Sequence, residues 1–361
     1  MRGGVLSFSI TAVLPGKCEG KHMFGFRLLT AIAVLSASVL TNAPASAADR
    51  VAVRLDWTPW GSQAPLHLAA KKGLFAKHGL DVVLEDGNGS VATVQIVGNG
   101  EYDVGHASLA PMAIARSKGL PVKAIAGFIK QNDIGLLVPK DSGIKGPADL
   151  KGKKIAFTAG SLETPFIDRF LAAGKLKRSD VELISVDAAG KAGLYMTGQT
   201  DAAFSSGPFF LAVVAAQRPS NAIRFADHGL EFPSFGLMAT EKSIATRREA
   251  LKRFASVVSG SWAYIFAGHE DEAAQAIIAA RPQAKLNPAV LRQQIDTLKD
   301  YALTDATRSL PFGTMAAVDW KRAVDVLAEG GLVDKSLDSN AVFTNELIDA
   351  AIVADIAAGK Q

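Results

Sequence analysis

Gly100-Glu101-Tyr102-Asp103-Val104-Gly105-His106-Ala107-Ser108 returns in outline 98 residues later as Gly198-Gln199-Thr200-Asp201-Ala202-Ala203-Phe204-Ser205-Ser206. Each copy opens on glycine, places an aspartate three residues on, and runs into a short segment of small and apolar residues ending in serine. Three further pairs match in the same order at offsets of 98–100 residues. Leu55-Asp56-Trp57-Thr58 resembles Ile155-Ala156-Phe157-Thr158. Gly61-Ser62 and Pro65 resemble Gly160-Ser161 and Pro165. Asp81-Val82-Val83-Leu84 resembles Asp180-Val181-Glu182-Leu183. Four ordered matches imply two similarly built lobes.

Around these anchors the pattern alternates strand and helix. In the first lobe, Val51–Leu55, Asp81–Glu85 and Asp103–Ala107 read as strands. Pro65–Lys72, Val91–Gly98 and Leu109–Lys118 read as helices, the second N-capped by Ser90. The second lobe repeats this with strands at Lys154–Phe157, Glu182–Val186 and Ala202–Ser205 and helices at Pro165–Ala173 and Gly190–Thr197. Such alternation predicts an α/β protein whose lobes are mostly parallel sheets with helices on both faces. Asp103 and Asp201, each just before a short strand, are expected to fix turns. Beyond about residue 240 only helices are predicted: Lys242–Ala267, Glu270–Ala280, Pro288–Tyr301, Ala316–Glu329 and Asn345–Ala358. This helical C-terminal tail is expected to pack on the first lobe. Ile134–Val138 and Phe235–Ala239, both apolar and glycine-containing, are assigned to a two-strand hinge. Lobe one is then 48–138 plus 236–361, and lobe two is 139–235.

The chain has 361 residues, 48% hydrophobic and 20% charged, which is globular composition. Four of the 39 Lys+Arg and one of the 35 Asp+Glu fall within residues 1–47, leaving 35 against 34 in the body. That near-neutral body argues against a nucleic-acid partner. The single cysteine, Cys18, excludes an intramolecular disulfide. From Met23, which reads as the real start, Arg27 precedes the 13-residue apolar run Leu28–Leu40 and the A-x-A site Ala45-Ser46-Ala47. Residues 1–47 are thus expected to carry a secretory signal peptide, and the mature chain to be periplasmic.

In open parallel sheets, ligands sit at the carboxyl ends of strands beside helix N-termini. Here those positions supply aromatic rings (Trp57, Trp60, Phe128, Phe204, Phe232, Phe235), small donors (Thr158, Ser108, Ser161, Ser206) and the polar groups Asp56, Gln63, His106 and Glu163. These are the candidate ligand-binding residues. Their ring-rich, charge-poor character suits a flat heterocycle stacked between rings. No metal site, cofactor or catalytic set is expected. The six histidines form no H-x-x-x-H. Gly87-Asn88-Gly89-Ser90-Val91-Ala92 matches G-x-G-x-x-A after a strand, but Ser90 as a helix cap accounts for it equally well.

Longer stretches carry a family resemblance: L-D-W-T-P at 55–59, A-P-L-H-L-A-A-K-K-G-L-F-A-K-H-G-L-D-V at 64–82, D-S-G-I-K-G-P-A-D-L-K-G-K-K-I at 141–155 and D-W-K-R-A-V-D-V-L-A-E-G-G-L-V-D at 319–334. The chain resembles the periplasmic substrate-binding proteins of ABC importers that include sulfonate, taurine, nitrate and thiamin-pyrimidine binders. The resemblance implies a two-lobed flytrap fold, a small-molecule ligand in the cleft, and delivery by a monomer to a membrane permease with its ATPase. L-D-W-T-P leans towards the thiamin-pyrimidine side. A sulfonate, taurine, nitrate or aromatic carboxylate is the alternative ligand. The fungal thiamin-pyrimidine synthases are an enzymatic branch of similar fold. Their pattern requires a pyridoxal-phosphate lysine, a histidine and clustered cysteines, where this chain has Ala107, Pro111 and the cysteine-free Phe232–Gly236.

Overall fold

The computed structural model describes residues 47–360. The expected signal peptide, with Met23 and Cys18, lies outside them except for its last residue, Ala47. The first sheet is built from β1 (Asp49–Arg54), β2 (Leu80–Glu85), β3 (Val104–Ser108), β4 (Val122–Gly127) and β10 (Phe235–Thr240), in the order β2-β1-β3-β10-β4. The second uses β5 (Ile134–Pro139), β6 (Lys154–Phe157), β7 (Glu182–Ser185), β8 (Ala202–Ser206) and β9 (Ser220–Arg224), in the order β7-β6-β8-β5-β9. The orders are equivalent. In each sheet one strand, β10 or β5, runs antiparallel to both neighbours. The helices are α1 (Ala64–Lys71), α2 (Leu74–Lys77), α3 (Ser90–Gly98) and α4 (Leu109–Ser117) in lobe one, and α5 (Ile167–Ala173), α6 (Lys191–Met196) and α7 (Gly207–Val214) in lobe two. The tail adds α8 (Glu241–Thr246), α9 (Arg248–Phe266), α10 (Glu270–Ala280), α11 (Pro288–Tyr301), α12 (Ala317–Glu329) and α13 (Ala350–Ala357). No helix among the described residues is long and apolar enough to cross a membrane.

The repeated aspartates show how the sequence echo becomes structure. Asp103 Oδ2 accepts from the Ala52 amide at 2.8 Å, and Asp201 Oδ2 accepts from the Lys154 amide at 2.8 Å. Each aspartate also donates its own amide to the carbonyl of the same residue, at 3.0 and 2.8 Å. Both therefore pin the start of a β3-type strand to its parallel neighbour, as turn-fixing residues do.

The hinge differs from expectation. Ile134–Val138 and Phe235–Ala239 are not linkers. Both lie in fully buried strands, β5 and β10, at interior positions of the second and first sheet respectively. A strand that is apolar on both faces is stable only inside a sheet covered on both sides. The crossings lie just ahead of these strands, at 128–133 and 225–234. They are tied together where the Ser234 amide donates to Ile129 O at 2.8 Å and Asn132 Nδ2 donates to Leu230 O at 2.5 Å. The tail packs mainly on lobe one, through α9 and α10 against α1, but α11 also reaches α7 of lobe two. Residues 345–349, expected to open the last helix, are not helical. Helix α13 starts only after Asp349, whose carboxylate accepts from the Ala351 amide at 3.0 Å.

Candidate functional site

The carboxyl ends of β1 and β3 bring together a polar cluster in lobe one. The buried Asp56 carboxylate accepts from His106 Nδ1 at 3.1 Å, Gln63 Nε2 at 3.3 Å and Trp60 Nε1 at 3.2 Å. With Nδ1 donating, a neutral His106 keeps Nε2 as an acceptor, and that atom has no partner among the described residues. The His106 ring stacks on Phe235 at 5.6 Å, and Trp60 meets Phe235 edge-on at 5.2 Å.

Lobe two answers with a buried ion pair. Glu163 accepts from Ser161 Oγ at 2.6 Å and from Lys191 Nζ at 3.1 Å. Lys191, 1% exposed, also donates to Phe204 O at 2.9 Å, and its ammonium lies 5.0 Å from the Trp57 ring centroid across the cleft. The cleft is therefore not charge-poor. Lys191 escapes sequence reading because its partner is remote in sequence. One local signal existed: a lysine as the first residue of a helix opposes the helix dipole and calls for a nearby anion. At the cleft base Asp133 accepts from Ser206 Oγ at 2.5 Å and from Ser234 Oγ. Burial pushes the Asp133 carboxyl up to about 6, although both serine hydrogen bonds pull it the other way.

The lobes meet directly. Gly160 O accepts from the Val91 and Ala92 amides at 2.9 and 3.2 Å, at the N-terminus of α3. The G-x-G-x-x-A stretch thus docks the opposite lobe. Gly89 has φ +134°, and a Cβ there would meet Gly160 O at 2.3 Å. Ser90 is not the cap expected from the sequence. It is the first residue of α3, and its hydroxyl accepts from the Ser108 amide at 3.1 Å. Phe209 inserts edge-on against Trp57 and Trp60, with centroids 6.4 and 5.5 Å away.

Between the lobes a narrow cavity of about 10 Å³ is lined by Asp56, Trp57, Trp60 and Phe235 from one side and Ser161, Leu162, Ser205, Ser206 and Phe209 from the other. Two larger hollows, of about 380 Å³ beside Arg116 and 480 Å³ beside Arg218, open on the surface, and no residue lining them has a buried polar atom without a partner. The cleft differs. Trp57 Nε1, Gln63 Oε1, His106 Nε2, Ser108 Oγ and Thr158 Oγ1 are all buried and unpartnered among the described residues.

Six of the residues expected to bind ligand line the cavity: Asp56, Trp57, Trp60, Ser161, Ser206 and Phe235. Gln63, His106 and Glu163 stand directly behind them through hydrogen bonds. Thr158 belongs to the same group, since its amide donates to Glu163 at 3.4 Å. Ser108 joins as the strand partner of Phe235. The remaining three rings go elsewhere. Phe128 stacks on Phe312, Phe204 sits between Phe170 and Phe225, and Phe232 packs on Phe166 at 4.5 Å. They serve the lobes' cores, because an aromatic beside a strand end packs inward unless a loop turns it out. Phe209, missed from the sequence, follows Gly207-Pro208 at the start of α7, where the helix entry points it across the cleft.

Residues 60–273 match the family described as NMT1/THI5 like. The chain belongs to that family. A Haemophilus influenzae protein assigned in name only to thiamine biosynthesis is 24% identical over 302 residues, covering 83% of this chain and 93% of that one. A yeast 4-amino-5-hydroxymethyl-2-methylpyrimidine phosphate synthase is 35% identical over only 111 residues, 30% of this chain and 32% of the synthase. Among solved structures, a Bordetella bronchiseptica protein superposes with TM-score 0.68 at 25% identity, covering 85% of this chain and 97% of that one. The alkanesulfonate-binding protein SsuA of Xanthomonas axonopodis pv. citri, bound to MOPS, superposes with TM-score 0.63 at 16% identity, covering 83% and 99%. The fold is that of the periplasmic binding proteins.

Proposed function

We propose that this protein is an extracytoplasmic solute-binding protein that closes its two lobes on a small aromatic or heterocyclic nutrient, pyrimidine-like, and delivers it to an ABC importer. One observation carries this reading: a cavity at the lobe interface ringed by Trp57, Trp60, Phe209 and Phe235, beside five buried polar atoms that lack protein partners. Buried polar groups are normally satisfied, so such a grouping calls for a polar guest. The rings supply stacking faces, and the free donors and acceptors fix orientation.

The charge inventory favours a neutral or cationic ring over an oxyanion. Asp56, Asp133 and Glu163 surround the cleft, and the buried Lys191 there is already engaged by Glu163. A sulfonate or nitrate would enter against that excess of carboxylates. A ligand that touches both lobes gains its full contacts only when they are closed, so binding favours closure. A permease with its ATPase would read the closed surface, and the working location would be the periplasm. The enzymatic reading has the yeast match behind it, but Ala107 and Pro111 stand where that branch's lysine and histidine are required.

The test is to extract gently purified protein, identify by mass spectrometry what is released, and screen thermal stability against pyrimidines, thiamin precursors, sulfonates and nitrate. A ligand at 100 times its Kd adds about 2.7 kcal/mol of stability. Stabilisation by pyrimidines supports the reading. Stabilisation by sulfonates alone overturns the ligand class, and chemical turnover of a bound pyrimidine overturns the binding-protein reading.

A further inference from the structure

Helix α11 lies in the tail, yet it packs on both lobes, against Gly61–Gln63 in lobe one and against α7 in lobe two. Its residue Gln294 is 2% exposed, and its amide is used at both ends. Oε1 accepts from the Gly61 amide at 2.9 Å, and Nε2 donates to Phe209 O at 3.1 Å. Gly61 belongs to the loop that carries Trp57 and Trp60, while Phe209 is the lobe-two ring wedged against both indoles. One side chain thus reads the positions of two backbones that come from opposite lobes. Gln294 does not line the cavity. It also lies outside the 60–273 stretch matched by the family.

We propose that Gln294 is a positioning residue that latches the closed form, so that the C-terminal tail sets how readily the cleft shuts and hence how tightly any ligand is held. This rests on the two-lobe capture reading above and adds its regulation. The physical argument is differential. In the closed form the Gly61 amide, the Phe209 carbonyl and both amide atoms of Gln294 are satisfied in a buried setting. The Gly61 bond ties α11 to lobe one and survives opening, so parting the lobes breaks only the bond to the Phe209 carbonyl, which keeps its helical partner while water serves Nε2. Removing the Nε2 donor therefore penalises the closed form, whereas removing Oε1 strands the Gly61 amide in either form and costs folding stability. Close packing marks the same spot: a Cβ on Gly61 would fall 2.8 Å from Gln294 Cβ, so the loop and helix touch with no room for a spacer. A ligand's apparent affinity scales with the population of the competent state, so the latch acts equally on every ligand.

Gln294→Met keeps the length and helix preference of the side chain and removes only the amide; Gln294→Glu keeps the acceptor for Gly61 and loses the donor to Phe209. Spin labels at the exposed positions Ala76 and Arg169, one per lobe, report the inter-lobe distance without any ligand. Binding is measured with 4-amino-5-hydroxymethyl-2-methylpyrimidine and with MOPS. The expected result is a shift to longer label distances in Gln294→Met, and a Kd raised about tenfold by the same factor for each probe that binds wild type, mostly through faster release. Gln294→Glu should fall on the same side. Unchanged distances together with unchanged Kd values overturn the latch. A changed order of preference between probes also overturns it, because Gln294 would then be touching ligand. If wild type binds neither probe, the ligand class proposed above fails, while the label distances still decide the latch.

Discussion

Lys191→Met is the sharpest test of the cleft's electrostatics. The substitution preserves chain length but removes an ammonium that bonds Glu163 at 3.1 Å and Phe204 O at 2.9 Å and lies 5.0 Å from the Trp57 ring. Glu163 is fully buried and would retain only the Ser161 hydroxyl and the longer Thr158 amide contact. Stripping one member from a buried ion pair strands the other charge, at a cost of about 3–5 kcal/mol. For a chain of this size that lowers Tm by roughly 5–10 °C. The double variant Lys191→Met/Glu163→Gln removes the stranded charge and should regain about 2 kcal/mol or more of that loss. The assay is urea unfolding at pH 7 followed by circular dichroism and tryptophan fluorescence, whose coincidence checks two-state behaviour. Because the pair is sealed from solvent, 0.5 M salt should not reduce the penalty as it would for a surface pair (a condition chosen against the ~10 Å screening length at 0.1 M). A single-variant loss below about 1 kcal/mol, or a double variant no more stable than the single, would refute the reasoning.

Three more outcomes follow from the geometry. Trp57→Ala should weaken ligand binding by about tenfold or more with the fold intact, whereas Phe232→Ala should cost about 3–5 kcal/mol of stability and leave ligand preference unchanged, since its ring packs on Phe166; titration calorimetry and thermal melts separate the two. Gly89→Ala places a methyl at φ +134° and 2.3 Å from Gly160 O, so the lobes cannot close and affinity should drop more than tenfold; inter-lobe label distances in saturating ligand would stay long, and normal closure would contradict this. Burial raises the Asp133 carboxyl to about 6 from 3.8, so its contribution to stability is present below pH 3.8 and is lost as pH rises through about 6. Asp133→Asn removes that dependence, so the variant should gain on wild type between pH 4 and pH 7 in denaturation midpoints; parallel pH profiles would count against it.

Much of the scaffold was legible because it is local. Asp103 and Asp201 could be read as turn-fixing residues from spacing alone, and the structure gives them matching bonds to Ala52 and Lys154. Lys154–Phe157, Glu270–Ala280 and Pro288–Tyr301 have the boundaries the pattern predicts. What failed depends on neighbours. β4 and β9 went unread because short segments such as Val122–Gly127 and Ser220–Arg224 become strands only when β10 and β5 pair with them. The same pairing turned the expected hinge segments into central strands. Six cavity residues were anticipated at strand ends, but Phe128, Phe204 and Phe232 show that residue type at a strand end does not say which way a ring turns.

By itself the sequence determined two repeated α/β lobes, a helical tail and the strand ends where Asp56, Trp57, His106, Thr158 and Ser206 gather, since hydrophobic period and turn chemistry act within a few residues of chain. Only the tertiary structure decided which charges neutralise one another and which groups stay unpaired. Lys191 finds Glu163 28 residues away, and Gln294 finds Gly61 233 residues away. Such meetings are fixed by how the lobes and tail pack around a shared cleft, and no local pattern encodes the distance or the burial that gives them their strength.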